Sequence, residues 1–192
     1  MHSHSARRVR VRPAPRHGQL LGANGPRRMT QFLGTHQNKR DAKGRVSIPA
    51  PFRSALKGAL EPDAPVSLVV RPSHKHACIE AWPSAEFQRL AGPLEQYETF
   101  SEDQEDLAAV IYPEATRLEC DREGRVLLPE SLVRHADLGD LVTFLGLGHN
   151  FQIWEPGAAE RRLIEARERV RTRGLTLPAL VRASLPPAAR PA

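Results

Sequence analysis

The chain has 192 residues, 40% hydrophobic and 26% charged, with 28 Lys and Arg against 22 Asp and Glu for a formal net charge of +6. That length fits one domain or two small ones, and the absence of any run of eighteen apolar residues excludes a membrane-spanning helix. The two cysteines, Cys78 and Cys120, lack metal-ligand spacing and read as buried, inert thiols in a reduced, cytoplasmic setting.

The positive charge sits at one end. Residues 1–28 hold seven Arg and no acid, which leaves 21 basic against 22 acidic residues in 29–192, a net of −1. Bulk basicity is therefore no argument for nucleic-acid binding by the body of the chain; only local clustering can be. Rich in Arg and Pro and without apolar periodicity, residues 1–28 read as a disordered basic extension. Three origins fit it: a stretch translated ahead of the true start, a basic arm that adds phosphate contacts, or a transit peptide.

From there the sequence is organised by a phrase used twice. Asp41-Ala42-Lys43-Gly44-Arg45-Val46-Ser47-Ile48-Pro49 returns as Asp121-Arg122-Glu123-Gly124-Arg125-Val126-Leu127-Leu128-Pro129, with five of nine positions identical. A repeat of this kind implies two copies of one structural unit. In each copy Asp and Gly have turn-structuring roles: Asp41 and Asp121 open a turn, while Gly44 and Gly124 supply its left-handed residue. Arg45 to Ile48 alternates polar and apolar as a half-buried strand does, and Pro49 ends it. Phe52, Ala55 and Leu56 then match Leu132, His135 and Ala136 at helical spacing. Strands are expected at Val66–Val70 and Leu141–Leu145, followed by shorter ones at Ala77–Trp82 and Asn150–Trp154.

Two such units predict an α+β fold, a pseudo-twofold β-barrel with short connecting helices and a C-terminal helix. Its parts are repeat one over 32–84, a helical connector over 85–114, repeat two over 115–157, a helix over 158–174 and a disordered tail over 175–192. In the connector, Phe87, Leu90 and Ala91 mark one short amphipathic stretch. Ser101-Glu102-Asp103-Gln104 reads as a capping box ahead of Leu107, Ala108, Val110 and Ile111, with Pro113 as the stop. In the last helix Leu163, Ala166 and Val170 form a narrow stripe suited to docking on this subunit or a neighbour, Glu165 and Arg169 are set to pair, and Gly174 ends it.

The strongest chemical signal is the first turn, where Lys39, Arg40, Lys43 and Arg45 surround one acid, Asp41. A hairpin tip holds such side chains out toward phosphates or a major groove, and the Arg45 fork can grip either with two bonds. The competing role is internal, with each arginine paired to its own turn aspartate. The second turn offers Arg122 and Arg125 but offsets them with Glu123, so the first is expected to dominate DNA affinity. Catalytic signatures are missing: no Asp-Thr/Ser-Gly, P-loop, His-Glu-x-x-His or nucleophile elbow occurs, so no enzyme and no cofactor is expected. His74, His76 and Cys78 are three potential zinc ligands within five residues, but the histidines read better as solvent-facing.

Both repeats, together with Phe32-Leu33-Gly34, Lys43-Gly44-Arg45-Val46-Ser47-Ile48-Pro49 and Phe151-Gln152-Ile153-Trp154, resemble the MraZ family over about 29–170. Ile111-Tyr112-Pro113 departs from it, since smaller residues are usual there. The resemblance implies two AbrB-like swapped-hairpin repeats and a start near Met29. It implies a ring-shaped homo-oligomer, nucleoid-associated in the cytoplasm, that binds double-stranded DNA through the turn containing Asp41 and Arg45. It further implies repression at direct repeats upstream of the cell-division and cell-wall gene cluster. An oligomeric interaction platform without specific DNA binding is the alternative. An antitoxin is a weaker third, because antitoxins of that fold usually carry one repeat.

Overall fold

The computed structural model describes residues 31–58, 65–94, 96–98 and 101–177. The extension over 1–28 and most of the expected tail lie outside the described residues. The chain divides into two compact units, one ending at Ala159 and the other starting at Glu160.

Among the described residues the first unit contains eight strands: β1 (Thr35–Lys39), β2 (Arg45–Ser47), β3 (Ser67–Pro72), β4 (Ile79–Trp82), β5 (Thr116–Glu119), β6 (Arg125–Leu127), β7 (Leu141–Gly146) and β8 (Phe151–Trp154). Six form one antiparallel sheet in the order β1-β7-β8-β4-β3-β5, and β2 pairs with β6 as a separate ribbon. Exchanging each strand for its repeat counterpart, β1 for β5 and so on, reverses this order onto itself. The expected twofold repetition is thus written into the pairing. The repeats are also swapped: β1 adds to the second repeat's β7, and β5 to the first repeat's β3. At the centre the two copies meet where β4 pairs with β8. The edge strands β1 and β5 lead through the two turns into the β2–β6 ribbon, so covalent turns continue what the sheet leaves open.

Sequence patterning missed β1 and β5. Their residues, Thr-His-Gln-Asn-Lys and Thr-Arg-Leu-Glu, are mostly polar and only half-buried at best. An edge strand solvated on one side carries little apolar signal, and its pairing comes from the partner repeat.

The helices follow the expected places with local differences. Helix α1 (Ala50–Gly58) buries Phe52 and Leu56, and its counterpart α5 (Glu130–His135) buries Leu132 while Ala136 is buried just beyond it. His135 does not join that face; its Nε2 lies 3.2 Å from the His76 carbonyl oxygen. The connector holds α2 (Ser84–Gln88), α3 (Ala91–Leu94) and α4 (Glu102–Ile111). Ser101 Oγ accepts from Gln104 N–H at 3.3 Å as an N-cap should. The reciprocal half of the expected box is replaced: the Gln104 side chain donates to Leu94 O, and Ser101 N–H donates to Glu98 O. Leu107 and Ile111 pack against Phe87 and Leu94, whereas Val110 faces solvent. Tyr112, in the segment that departs from the family's smaller residues, meets Phe87 edge-on at 5.9 Å.

Four rings anchor the core, two from each repeat. Phe32, Phe52, Phe144 and Phe151 are fully buried, with Phe52 centroids 5.0 Å from Phe151 and 5.4 Å from Phe32. Phe32 is placed by a backbone clasp in which Phe32 N–H donates to Gly148 O and Gly146 N–H to Gly34 O, each at 2.9 Å. The clasp is tight: a Cβ on Gly146 would stand 2.4 Å from Phe32 O. A buried ion pair crosses β3 and β4, where Arg71 and Glu80 face each other in register at 2.7 Å. No reading of the sequence singled it out.

Helix α6 (Pro156–Thr172) begins two residues earlier than expected. Pro suits the first helical position, and the Glu155 carboxylate caps the start by accepting from Gly157 and Ala158 N–H. Glu165 and Arg169 pair at 3.2 Å, and Gly174 takes the positive φ of a helix stop. No described helix is long and apolar enough to cross a membrane.

Candidate nucleic-acid interface

The two repeated phrases build nearly identical turns. In the first, Asp41 O accepts from Gly44 N–H at 2.9 Å and Asp41 N–H donates to Arg45 O at 2.8 Å. Asp41 Oδ1 accepts from the Lys43 and Arg45 N–H groups, both at 2.9 Å, and Gly44 has φ +78°. In the second, Asp121 does the same for Gly124, Glu123 and Arg125, with Gly124 at φ +77°. This geometry needs a short acceptor at the first position and a left-handed residue at the fourth, which accounts for the repeated Asp and Gly.

Each aspartate also holds its arginine. Arg45 Nε donates to Asp41 Oδ2 at 2.8 Å, and Arg125 Nε donates to Asp121 Oδ2 at 2.8 Å. The backbone N–H bond from Arg45 and its side-chain bond hold the Asp41 carboxyl below its ordinary range; the Arg125 N–H leads the same effect on Asp121. Bonding to Asp121 in turn raises the Arg125 guanidinium further.

The ribbon joins the turns. Arg45 pairs with Leu127 and Ser47 with Arg125, so the two arginines start only about 7 Å apart along the strands. Arg45 Nη1 reaches to 3.9 Å from Asp121 Oδ2, a contact between the repeats. The sequence could not place the turns side by side, because eighty residues separate them.

The candidate cations fall into two groups. Lys39, Lys43 and Arg122 are exposed. Arg40 is half-buried; its Nη1 donates to Leu138 O at 2.8 Å, and its backbone N–H donates to Asp140 O, tying the first turn to the start of β7. Arg45 and Arg125 keep about a third of their side chains open, 31% and 30%, while paired to their aspartates. Arg125 is further engaged by Glu123 at 2.9 Å. Sequence reasoning missed Arg53, whose Nη1 donates to Ile48 O at 2.6 Å and whose stem lies over Gly124. Aligning the repeats past their prolines would have exposed it, since Val133 stands at the matching position.

The other candidates do not converge. Cys78 is buried while His74 is exposed, and His76 lies against the Trp154 ring at 5.7 Å. Among the described residues no group of three or more His, Cys, Asp or Glu is arranged to hold a metal ion. Cys120 is half-buried, and burial pushes its thiol up to about 11, far from a reactive thiolate.

Comparison with known proteins agrees with the repeated architecture. The pattern of the family described as "MraZ protein, putative antitoxin-like" matches residues 31–110 and again 111–168. The chain belongs to the MraZ family. A protein of Gluconobacter oxydans named transcriptional regulator MraZ is 57% identical over 144 residues, 75% of this chain and 87% of that protein. One of the same name from Gluconacetobacter diazotrophicus is 54% identical over 151 residues, 79% of this chain and 94% of the relative. Identity to the MraZ regulator of Rickettsia canadensis is 35% over 149 residues, 78% of this chain and 97% of its partner. The boundary between the two MraZ matches, at 110/111, falls at the end of α4, where the connector hands over to the second repeat.

Proposed function

We propose that this chain is a sequence-specific DNA-binding transcriptional regulator that uses the two turns as its reading surface. The observation that carries the proposal is the fusion of both turns through the β2–β6 ribbon into one surface on which Lys39, Lys43 and Arg122 are exposed. The three ammonium and guanidinium groups supply phosphate contacts, while Arg45 presents a fork already oriented by Asp41. The relatives' name, transcriptional regulator, supports the same reading.

The turns contribute unequally. The first has Lys39, Arg40, Lys43 and Arg45 against Asp41, whereas the second balances Arg122 and Arg125 with Asp121 and Glu123. A few phosphate contacts bind weakly and are screened by salt. Copies assembled in a homo-oligomeric ring would multiply them when the DNA offers direct repeats at matching spacing. The family resemblance supplies the targets, direct repeats ahead of the cell-division and cell-wall genes, with repression as the outcome, acting on the nucleoid in the cytoplasm.

Fluorescence anisotropy of the full chain on direct-repeat promoter DNA and a scrambled control, across a salt series, tests this. Repeat-selective binding that weakens with salt and is reduced in Lys43→Ala and Arg45→Ala is expected. Binding that ignores sequence, or variants that bind as wild type does, would overturn it. One observation favours a second reading, an oligomeric platform without specific DNA binding: both turn arginines already have internal carboxylate partners. Equal affinity for both DNAs in an intact oligomer would favour that platform.

A further inference from the structure

The two turn phrases agree wherever the turn requires it, and the ribbon between them carries one difference at its surface. Val46 and Val126 are buried on the inner face of the β2–β6 ribbon. Alternation therefore places Arg45, Ser47, Arg125 and Leu127 on the opposite face. Ser47 and Leu127 hold the same place in the two phrases. Ser47 is half-buried, whereas Leu127 is 59% exposed. Since a serine serves at that place in the first copy, strand pairing does not by itself demand a leucine in the second.

Leu127 stands in cationic company. It lies directly across the ribbon from Arg45, and its Cδ1 is 3.6 Å from where a Cβ on Gly44 would stand, between Lys43 and Arg45 in the first turn. Beside the second turn the stem of Arg53 lies over Gly124 instead. An isobutyl group makes no bond to a phosphate. On a surface that faces DNA, the group that rewards it is the thymine C5-methyl, which projects into the major groove, and that groove admits a two-stranded ribbon. We propose that Leu127 is a specificity-determining residue that packs against a thymine methyl while Arg45 faces a neighbouring base pair. The inference rests on the DNA-binding reading above and adds a base contact to it, using none of the cations that reading gives to phosphates. Side chains paired across a ribbon have Cβ atoms about 5 Å apart, against about 3.4 Å per base-pair step, so the thymine lies one or two steps from the pair that Arg45 faces. The second turn, with Ser47 at the matching place, has no such contact.

Anisotropy of the full chain on direct-repeat promoter DNA tests it, with each thymine replaced in turn by deoxyuridine, which pairs alike but lacks the methyl. Wild type is expected to lose about fourfold in affinity at one thymine, the worth of one buried methyl group, and Leu127→Ser to lose nothing further there. Leu127→Met, which keeps an apolar tip, should remain sensitive at the same thymine. The slope of log K against log salt should be equal for all three, because no phosphate contact changes. A wild type that binds scrambled DNA equally well would overturn the DNA-reading function, and this inference with it. A selective wild type indifferent to every demethylation, or a Leu127→Ser variant as sensitive as wild type, would overturn the role of Leu127 alone. A changed light-scattering mass or circular dichroism spectrum in Leu127→Ser would overturn it too, assigning the side chain to a packing contact.

Discussion

Arginine and lysine divide the labour at the turns. In the proposed interface Lys43, exposed at the tip, serves as a point charge toward phosphate. Removing it should weaken binding across all DNA sequences and lower the slope of log K against log salt by about 1. Arg45 is different: Asp41 fixes its guanidinium, so its loss should impair both the turn and the selectivity between repeat and scrambled DNA. Arg125, held by Asp121 and Glu123 together, should matter less, and an Arg125→Ala variant as weak as Arg45→Ala would contradict the unequal roles. The aspartates set an acid limit. Their carboxyls titrate below the ordinary 3.8, so the stability they add is complete above that range and lost as pH falls through the lowered folded values. Asp41→Asn with Asp121→Asn should flatten that acid limb of a denaturation series while leaving pH 6–8 nearly level.

His74 provides a second residue-scale check with the same sign. Desolvation, then the Arg71 charge, lowers its pKa from 6.5, so the fold prefers it neutral. That preference is satisfied above the unfolded value and lost as pH falls below it. In His74→Gln, the decline in stability just under pH 6.5 should shrink. An unchanged profile would assign the decline to another group.

At the scale of elements, the swapped pairing concentrates risk at a few contacts. The clasp between the Phe32 segment and the β7–β8 turn leaves no room for a side chain at Gly146, and the obstacle is backbone, which cannot rotate away. Gly146→Ala should therefore cost about 1–3 kcal/mol, in the range of core overpacking, as read from urea midpoints. The Arg71–Glu80 pair poses a similar constraint in the middle of the sheet. Truncating Glu80 to Ala strands a buried guanidinium and should cost about 3–5 kcal/mol, whereas exposed pairs such as Arg134–Glu130 should cost almost nothing. How much of this was legible depended on burial. Arg45 to Ser47 announced a strand by its alternation, but β1 and β5 did not, because an edge strand needs little apolar surface and takes its partner from the other repeat. The connector box was half legible: Ser101 caps locally as its type demands, while Gln104 was drawn away by the Leu94 carbonyl.

At the scale of the whole molecule, a near-neutral body over 29–192 and locally basic turns act together. A body of net −1 gains little from long-range attraction to DNA, so affinity has to come from the number of turns presented at once. Assembly and DNA binding should then be coupled. A variant that breaks the proposed homo-oligomer should lower affinity for multi-repeat DNA far more than for a single repeat, a difference measurable on probes of graded repeat number.

The sequence by itself determined that there are two copies of one unit, where each turn lies, and which residues structure it. Those features depend on short-range stereochemistry, an aspartate that must accept its neighbours' N–H groups and a glycine that must adopt positive φ. Only the tertiary structure decided how the copies interlock, that the turns share one ribbon, and which cations are exposed rather than tied. It alone revealed that Arg53 lies over Gly124 while the Leu127 side chain stands beside Gly44. Each of these rests on contacts between residues far apart in the chain, and hydrophobic pattern encodes that a face will be buried without saying against what.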